Sequence, residues 1–127
     1  MSREVKFRGR CRKTGEWIYG DLMHKAMTAE SKIALVGIAP HGCYPVDVDV
    51  KTLGQFTGMH DRYHKEVFEG DIVSSDFYLP EIMCLSAISY CNDSMRFIFD
   101  SGEQDAFEYG KIKVIGNVHD NPELLNE

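Results

Sequence analysis

Five histidines, four cysteines and several closely spaced carboxylates are the residues through which this chain could do chemistry. His60 and His64 have HxxxH spacing, which on a helix would set two imidazoles on one face for zinc. Gly58 and the strand-like runs on either side predict a loop there instead. His41-Gly42-Cys43 brings an imidazole near a thiol, but no third or fourth ligand stands close by in sequence. Cys11, Cys43, Cys84 and Cys91 form no CxxC pair and fit no zinc spacing, so they are expected to be reduced thiols, with Cys84 a small core residue. His119 beside Asp120 is a neighbour pair, and a catalytic triad is made by geometry in space. Asp47 and Asp49 alternate with Val46, Val48 and Val50, which reads as a strand with an acidic solvent face. A hard cation there would want about six oxygen ligands. Glu69 and Asp71 flank Gly70, and Asp71 is expected to cap the backbone of a turn. There is no GxSxG elbow and no glycine-rich phosphate loop. No catalytic residue, metal or cofactor is expected.

A second group of residues suits binding. Trp17 and Tyr19 stand two apart on a predicted strand and so share a face. Facing inward, they are packing residues. Facing outward beside Arg8, they make a contact patch, because Trp, Tyr and Arg dominate binding hot spots. Gln55 is a candidate polar contributor to that patch. The formal net charge is −6, which disfavours nucleic-acid phosphates as a general partner. One basic run stands against that charge: Arg3, Lys6, Arg8, Arg10, Arg12 and Lys13. Its plain reading is a solvated strand face and hairpin turn; the alternative is a local contact with an anionic partner.

Strands must position these residues. Val5 and Phe7 alternate with Lys6 and Arg8, Thr14-Gly15 signals a turn, and Trp17-Ile18-Tyr19 is β-rich, so residues 4–23 read as a hairpin. His24 to Lys32 is polar and reads as a loop, with room for one helical turn near Ala26-Met27. Ile33 to Ile38 is a strand, as are Leu53 to Thr57 and the runs on either side of Gly70-Asp71. Ile82 to Tyr90 is an apolar segment whose modest β-branched and aromatic content leaves helix open beside strand, and Asn92-Asp93-Ser94 reads as a hairpin turn into the alternating Met95, Phe97 and Phe99. Phe107 and Tyr109 lead to a turn at Gly110, and Lys111 to Val118 alternates again. Asp120-Asn121-Pro122-Glu123 predicts a short helical turn that docks Leu124 or Leu125.

At 127 residues, with 43% hydrophobic and 27% charged, the chain suits one globular domain spanning residues 1–127. No run approaches the ~20 apolar residues that cross a bilayer. The start, Met1-Ser2-Arg3-Glu4, predicts no signal peptide and a cytoplasmic protein. Many short strands with glycine turns predict a mainly β fold, either an SH3-like or complex barrel or a sandwich of short antiparallel strands.

Four segments in order resemble the YopX family of phage and prophage proteins. They are Lys6-Phe7-Arg8-Gly9 with Gly15-Glu16-Trp17-Ile18-Tyr19-Gly20-Asp21-Leu22, Leu53-Gly54-Gln55-Phe56-Thr57-Gly58, Val67-Phe68-Glu69-Gly70-Asp71-Ile72-Val73, and Val114-Ile115-Gly116-Asn117-Val118-His119-Asp120-Asn121-Pro122-Glu123-Leu124-Leu125. Similar proteins often place an Asn-Gly-like turn where this chain has Tyr63-His64, and residues 74–110 carry little of the pattern. The resemblance implies a β-rich fold and a bacterial cytoplasmic setting, and no activity. The expectation is a non-enzymatic binding module acting through protein contacts with an unidentified host or phage protein, assembled as a homo-oligomer. A nucleic-acid-binding β-barrel is the alternative.

Overall fold

The computed structural model describes residues 4–29, 33–40, 43–75, 84–93, 95–99 and 112–125. Among these residues the expected alternation becomes ten strands and two short 3-10 turns, and the fold is mainly β and antiparallel. Phe107, Tyr109 and the expected turn at Gly110 lie outside the described residues. Packing divides the chain into two units, residues 1–56 and residues 57–127.

In the first unit, β1 (Phe7–Arg10) pairs antiparallel with β2 (Trp17–Met27) in the register Phe7–Gly20, Arg8–Tyr19, Gly9–Ile18 and Arg10–Trp17. This is the expected hairpin. Its turn is closed by the Gly15 N–H donating to the Cys11 carbonyl at 2.9 Å, with Gly15 at φ 78°, where only glycine is relaxed. The strand β2 does not stop at Met23. It runs on through the polar stretch read as a loop, because β3 (Ile33–Ala39) pairs with it from Asp21–Ala39 to Met27–Ile33. Pairing to an apolar neighbour outweighs the weak strand pattern of His24, Lys25 and Ala26. Gly20 makes this approach possible: a Cβ there would lie 2.2 Å from the Ala39 carbonyl oxygen.

The alternating valines make less strand than expected. Only Val46–Asp47 forms β4, against Gly37 and Ile38, while Val48 makes an isolated bridge to Cys11. Val50 then opens a 3-10 turn, Val50–Thr52, in which the Asp49 carboxylate accepts the Lys51 N–H. Val50 is therefore exposed, whereas Val48 is buried with Ile38 against Gly9, whose missing side chain leaves them room. The strand β5 (Gly54–His60) starts in this unit and pairs with the other edge of β1, Phe7–Gln55 and Arg8–Gly54.

In the second unit, β6 (Glu66–Phe68) and β7 (Asp71–Ser75) flank the expected turn. There the Asp71 carboxylate accepts the Phe68 N–H at 2.7 Å, and Gly70 takes φ 92°. The strands β8 (Cys84–Cys91), β9 (Arg96–Phe99) and β10 (Lys113–Asn117) complete a sheet ordered β10-β7-β8-β9. The expected hairpin around Asn92-Asp93 is present, with Tyr90 opposite Phe97. Val67, Val73, Ile88, Phe99, Ile112 and Val114 form the apolar core. The C-terminal turn is a 3-10 turn, Pro122–Leu125; Leu124 is half-buried and Leu125 is exposed. Neither run of strands closes into a barrel among the described residues.

Candidate contact face on the first hairpin

Directly opposed residues of an antiparallel pair project from the same face. The β1–β2 register therefore sets Arg8, Arg10, Trp17 and Tyr19 together, while Gly9 and Ile18 point the other way. The pattern continues at the start of β1. Phe56 donates its N–H to the Lys6 carbonyl at 2.8 Å, and the Lys6 ammonium lies 5.6 Å from the Phe56 ring centroid.

Trp17 is half-buried and holds two cations. The Arg8 guanidinium lies 4.8 Å from its ring centroid and that of Arg10 lies 5.4 Å away. A guanidinium over an indole is attracted to the negative ring face and stacks on it. Arg10 is anchored at its backbone as well, its N–H donating to the Thr52 hydroxyl at 2.9 Å. Tyr19, two residues on, is 45% exposed. A cleft of about 330 Å³ opens beside it, lined by Glu4, Val5, Lys6, Tyr19, Gly20 and Asp21.

These positions correct two expectations. Arg8 is not on a solvated strand face: it is 5% exposed. The run of basic residues splits into a buried cation (Arg8), two half-buried ones (Lys6 and Arg10) and two exposed ones at the turn, Arg12 and Lys13, while Arg3 lies outside the described residues. Gln55 does not join the patch. It pairs with Phe7, one residue out of step with Arg8, so it projects from the opposite face of the sheet. Sequence reasoning placed Arg10 in the basic run but not beside Trp17, which the i, i+2 spacing from Arg8 would have indicated.

The histidines are not gathered on a helical face. His60 ends β5, and His64 sits in the following turn at φ 66°, both exposed. His64 thus takes the left-handed conformation that an Asn-Gly turn would accept with less strain. The turn is held by Asp61, only 4% exposed, whose carboxylate accepts N–H groups from Tyr63 at 2.8 Å, Lys65 at 2.9 Å and Val114 at 3.1 Å. Burial pushes this carboxyl up, but the three N–H donors, with the Lys65 charge, outweigh it and hold the group below its ordinary value. His119 and Asp120 form a second local cap, both donating their N–H groups to the Asn117 side-chain oxygen. His41 and Gly42 lie outside the described residues, as does the side chain of Cys84.

Among the described residues no helix is long and apolar enough to cross a membrane. No curated protein matches the chain. Among solved structures, it is similar to the crystal structure of protein EF1440 from Enterococcus faecalis. That match has a TM-score of 0.59 and 22% identity, over 98% of this chain and 99% of the other. Its likeness is one of fold. The family model described as YopX protein matches residues 6–126, nearly the whole length, with all four motif segments inside it. This chain belongs to the YopX family.

Proposed function

We propose that the chain is a non-enzymatic binding module that works through protein–protein contacts, with the Arg10, Trp17 and Tyr19 face of the first hairpin as its contact surface. One observation carries the reading: a tryptophan held by two arginines lies beside an exposed tyrosine on one sheet face. Residues of these three types supply most binding energy where proteins meet. Stacking also orders the Arg10 side chain in advance, which lowers the entropy cost of docking. Arg8 contributes from beneath by fixing the indole. Gln55, on the other face, drops out of the surface.

The proposal includes self-association as a homo-oligomer, a phage or prophage origin and action in the bacterial cytoplasm. Family membership supports the last two. Nucleic acid is the competing partner, favoured by the basic turn residues Arg12 and Lys13 and disfavoured by the overall charge of −6.

A tagged pull-down from bacterial lysate, with and without nuclease, tests this with the wild type and Tyr19→Ala. A protein recovered in both nuclease arms and lost with Tyr19→Ala is the expected result. Recovery that collapses with nuclease moves the site to nucleic acid, and bait alone removes the module reading. A purely monomeric elution profile removes the self-association.

A further inference from the structure

The unforeseen length of β2 carries the contact face well past Tyr19. Trp17, Tyr19, Asp21, Met23, Lys25 and Met27 alternate along the strand and so belong to one side of the sheet. The Lys25 backbone takes φ 52°, but the register with β3 resumes unshifted at Ala26–Ala34, which returns Met27 to that side. From Tyr19 to Met27 all five residues are exposed, Met23 at 41% and Met27 at 54%. Their neighbours on β3 are small, with Ala39 opposite Asp21 and Gly37 opposite Met23, so the β2 side chains stand above them. The other side of this ribbon is the packed one: Ile38, opposite Leu22, is fully buried.

The order of types along this face is apolar, anion, apolar, cation, apolar: Tyr19, Asp21, Met23, Lys25, Met27. Residues two apart on a strand are separated by about 6.6 Å, so Asp21 and Lys25 lie about 13 Å apart, too far to pair within one chain. Among the described residues neither of them has an ion-pair partner. Glu4 and Lys6 line the cleft beside Asp21 and lie 3.7 Å from each other. Arg8 and Arg10 stand at the Trp17 end, and His24 belongs to the opposite side of the strand. Glu30 and Lys32, past Met27, are outside the described residues.

We infer that this β2 face docks on the same face of a second copy of the chain, the two strands antiparallel and Met23 on the two-fold axis. The inference rests on the self-association in the proposed function and names its surface and its symmetry. Reversing the strand about Met23 exchanges the anion with the cation and leaves the apolar positions apolar. Asp21 of each copy then meets Lys25 of the other, Met23 meets Met23, and Tyr19 meets Met27. A two-fold interface uses each contact twice, so the face carries two charge pairs. The parallel arrangement would set Asp21 on Asp21 and Lys25 on Lys25, and like charges oppose it. Facing sheets pack about 10 Å apart, a gap that methionine and tyrosine side chains fill. This self-complementary order of charge is what selects a second copy over an unrelated protein.

Sedimentation of the full chain over a concentration series reads the association of the wild type, Asp21→Lys, Lys25→Asp and the double variant Asp21→Lys/Lys25→Asp. Each single change turns both charge pairs into like-charge contacts and is expected to weaken association at least about tenfold. The double variant restores both pairs and is expected to associate within about threefold of the wild type. An equimolar mixture of the two single variants is expected to associate, because a doubly cationic strand then meets a doubly anionic one. Both positions are exposed, and aspartate accepts the positive φ at position 25. Met23→Cys gives a second readout. Mild oxidation is expected to link two copies above the background of the native cysteines, whereas Thr14→Cys, on the hairpin turn, stays at that background. Single variants that associate like the wild type, a double variant as weak as the singles, a mixture that stays apart, or Met23→Cys linking no more than Thr14→Cys overturns the inference. If the wild type associates and the charge reversals leave it untouched, this surface falls and self-association stands. A wild type that sediments as a monomer at every concentration removes both.

Discussion

Arg8 in β1 and Asp61 in the turn after β5 are almost equally withdrawn from solvent, 5% and 4% exposed, yet they are surrounded differently. Asp61 meets three backbone N–H groups, one of them from β10, more than fifty residues away. Its charge is spent on fixing backbone. Arg8 lies against the Trp17 ring, which also has the half-buried Arg10 over it. Its guanidinium meets a half-buried side chain, Trp17. The first arrangement ties backbone of the second unit together, whereas the second places a cation against an aromatic side chain on one sheet face. A buried charge is therefore informative through what it holds in place, and its burial alone does not separate scaffold from site.

The largest effect should come from Asp61. Asp61→Ala strands three N–H donors and is expected to cost about 3 kcal/mol, read by urea unfolding. Asp61→Asn should cost less, since an amide oxygen still accepts. The pH dependence follows from the lowered folded-state value. A carboxyl whose folded value lies below its unfolded one, about 3.9, contributes fully above that pH and loses the contribution as pH falls through the folded value. The stability gap between wild type and Asp61→Asn should therefore be constant near neutrality and narrow below about pH 4. A gap that widens on acidification would mean that Asp61 is not held as an anion.

On the hairpin side the largest effect is expected from backbone. Gly20→Ala drives a Cβ into the Ala39 carbonyl and should cost about 2 kcal/mol as β2 and β3 separate. Trp17 emission would then change with the unfolding midpoint. A smaller effect is expected for Arg8→Lys, which keeps the charge and loses the planar stack, at about 1 kcal/mol. Were lysine to substitute without cost, the stacked guanidinium would not be what holds Trp17.

How much of this was legible in the sequence differs between the two regions. The hairpin of β1 and β2, the Gly70-Asp71 turn and the β8–β9 hairpin are local, and their alternation and turn residues show them directly. The extension of β2 to Met27 was not visible, because its cause is β3, and a polar stretch takes its conformation from its partner strand. The valines at 46, 48 and 50 misled for a related reason: the alternation is real, but Asp49 caps a 3-10 turn that ends the strand. At the candidate face, the shared side of Trp17 and Tyr19 followed from spacing alone. The side taken by Gln55 did not, since it depends on the register between β1 and β5, and a shift of one residue would reverse it. The role of Asp61 was hidden because its most distant donor, Val114, is brought to it only by the fold.

The smallest expected change in stability tests the central claim. Tyr19→Ala removes an exposed ring and should shift the unfolding free energy by less than about 0.5 kcal/mol. The measurement is partner recovery by this variant beside its urea midpoint. An unchanged midpoint with lost partner recovery is the result predicted for a face built for contact. An unchanged midpoint with full recovery would contradict it and return Arg8, Arg10, Trp17 and Tyr19 to the scaffold alongside Asp61.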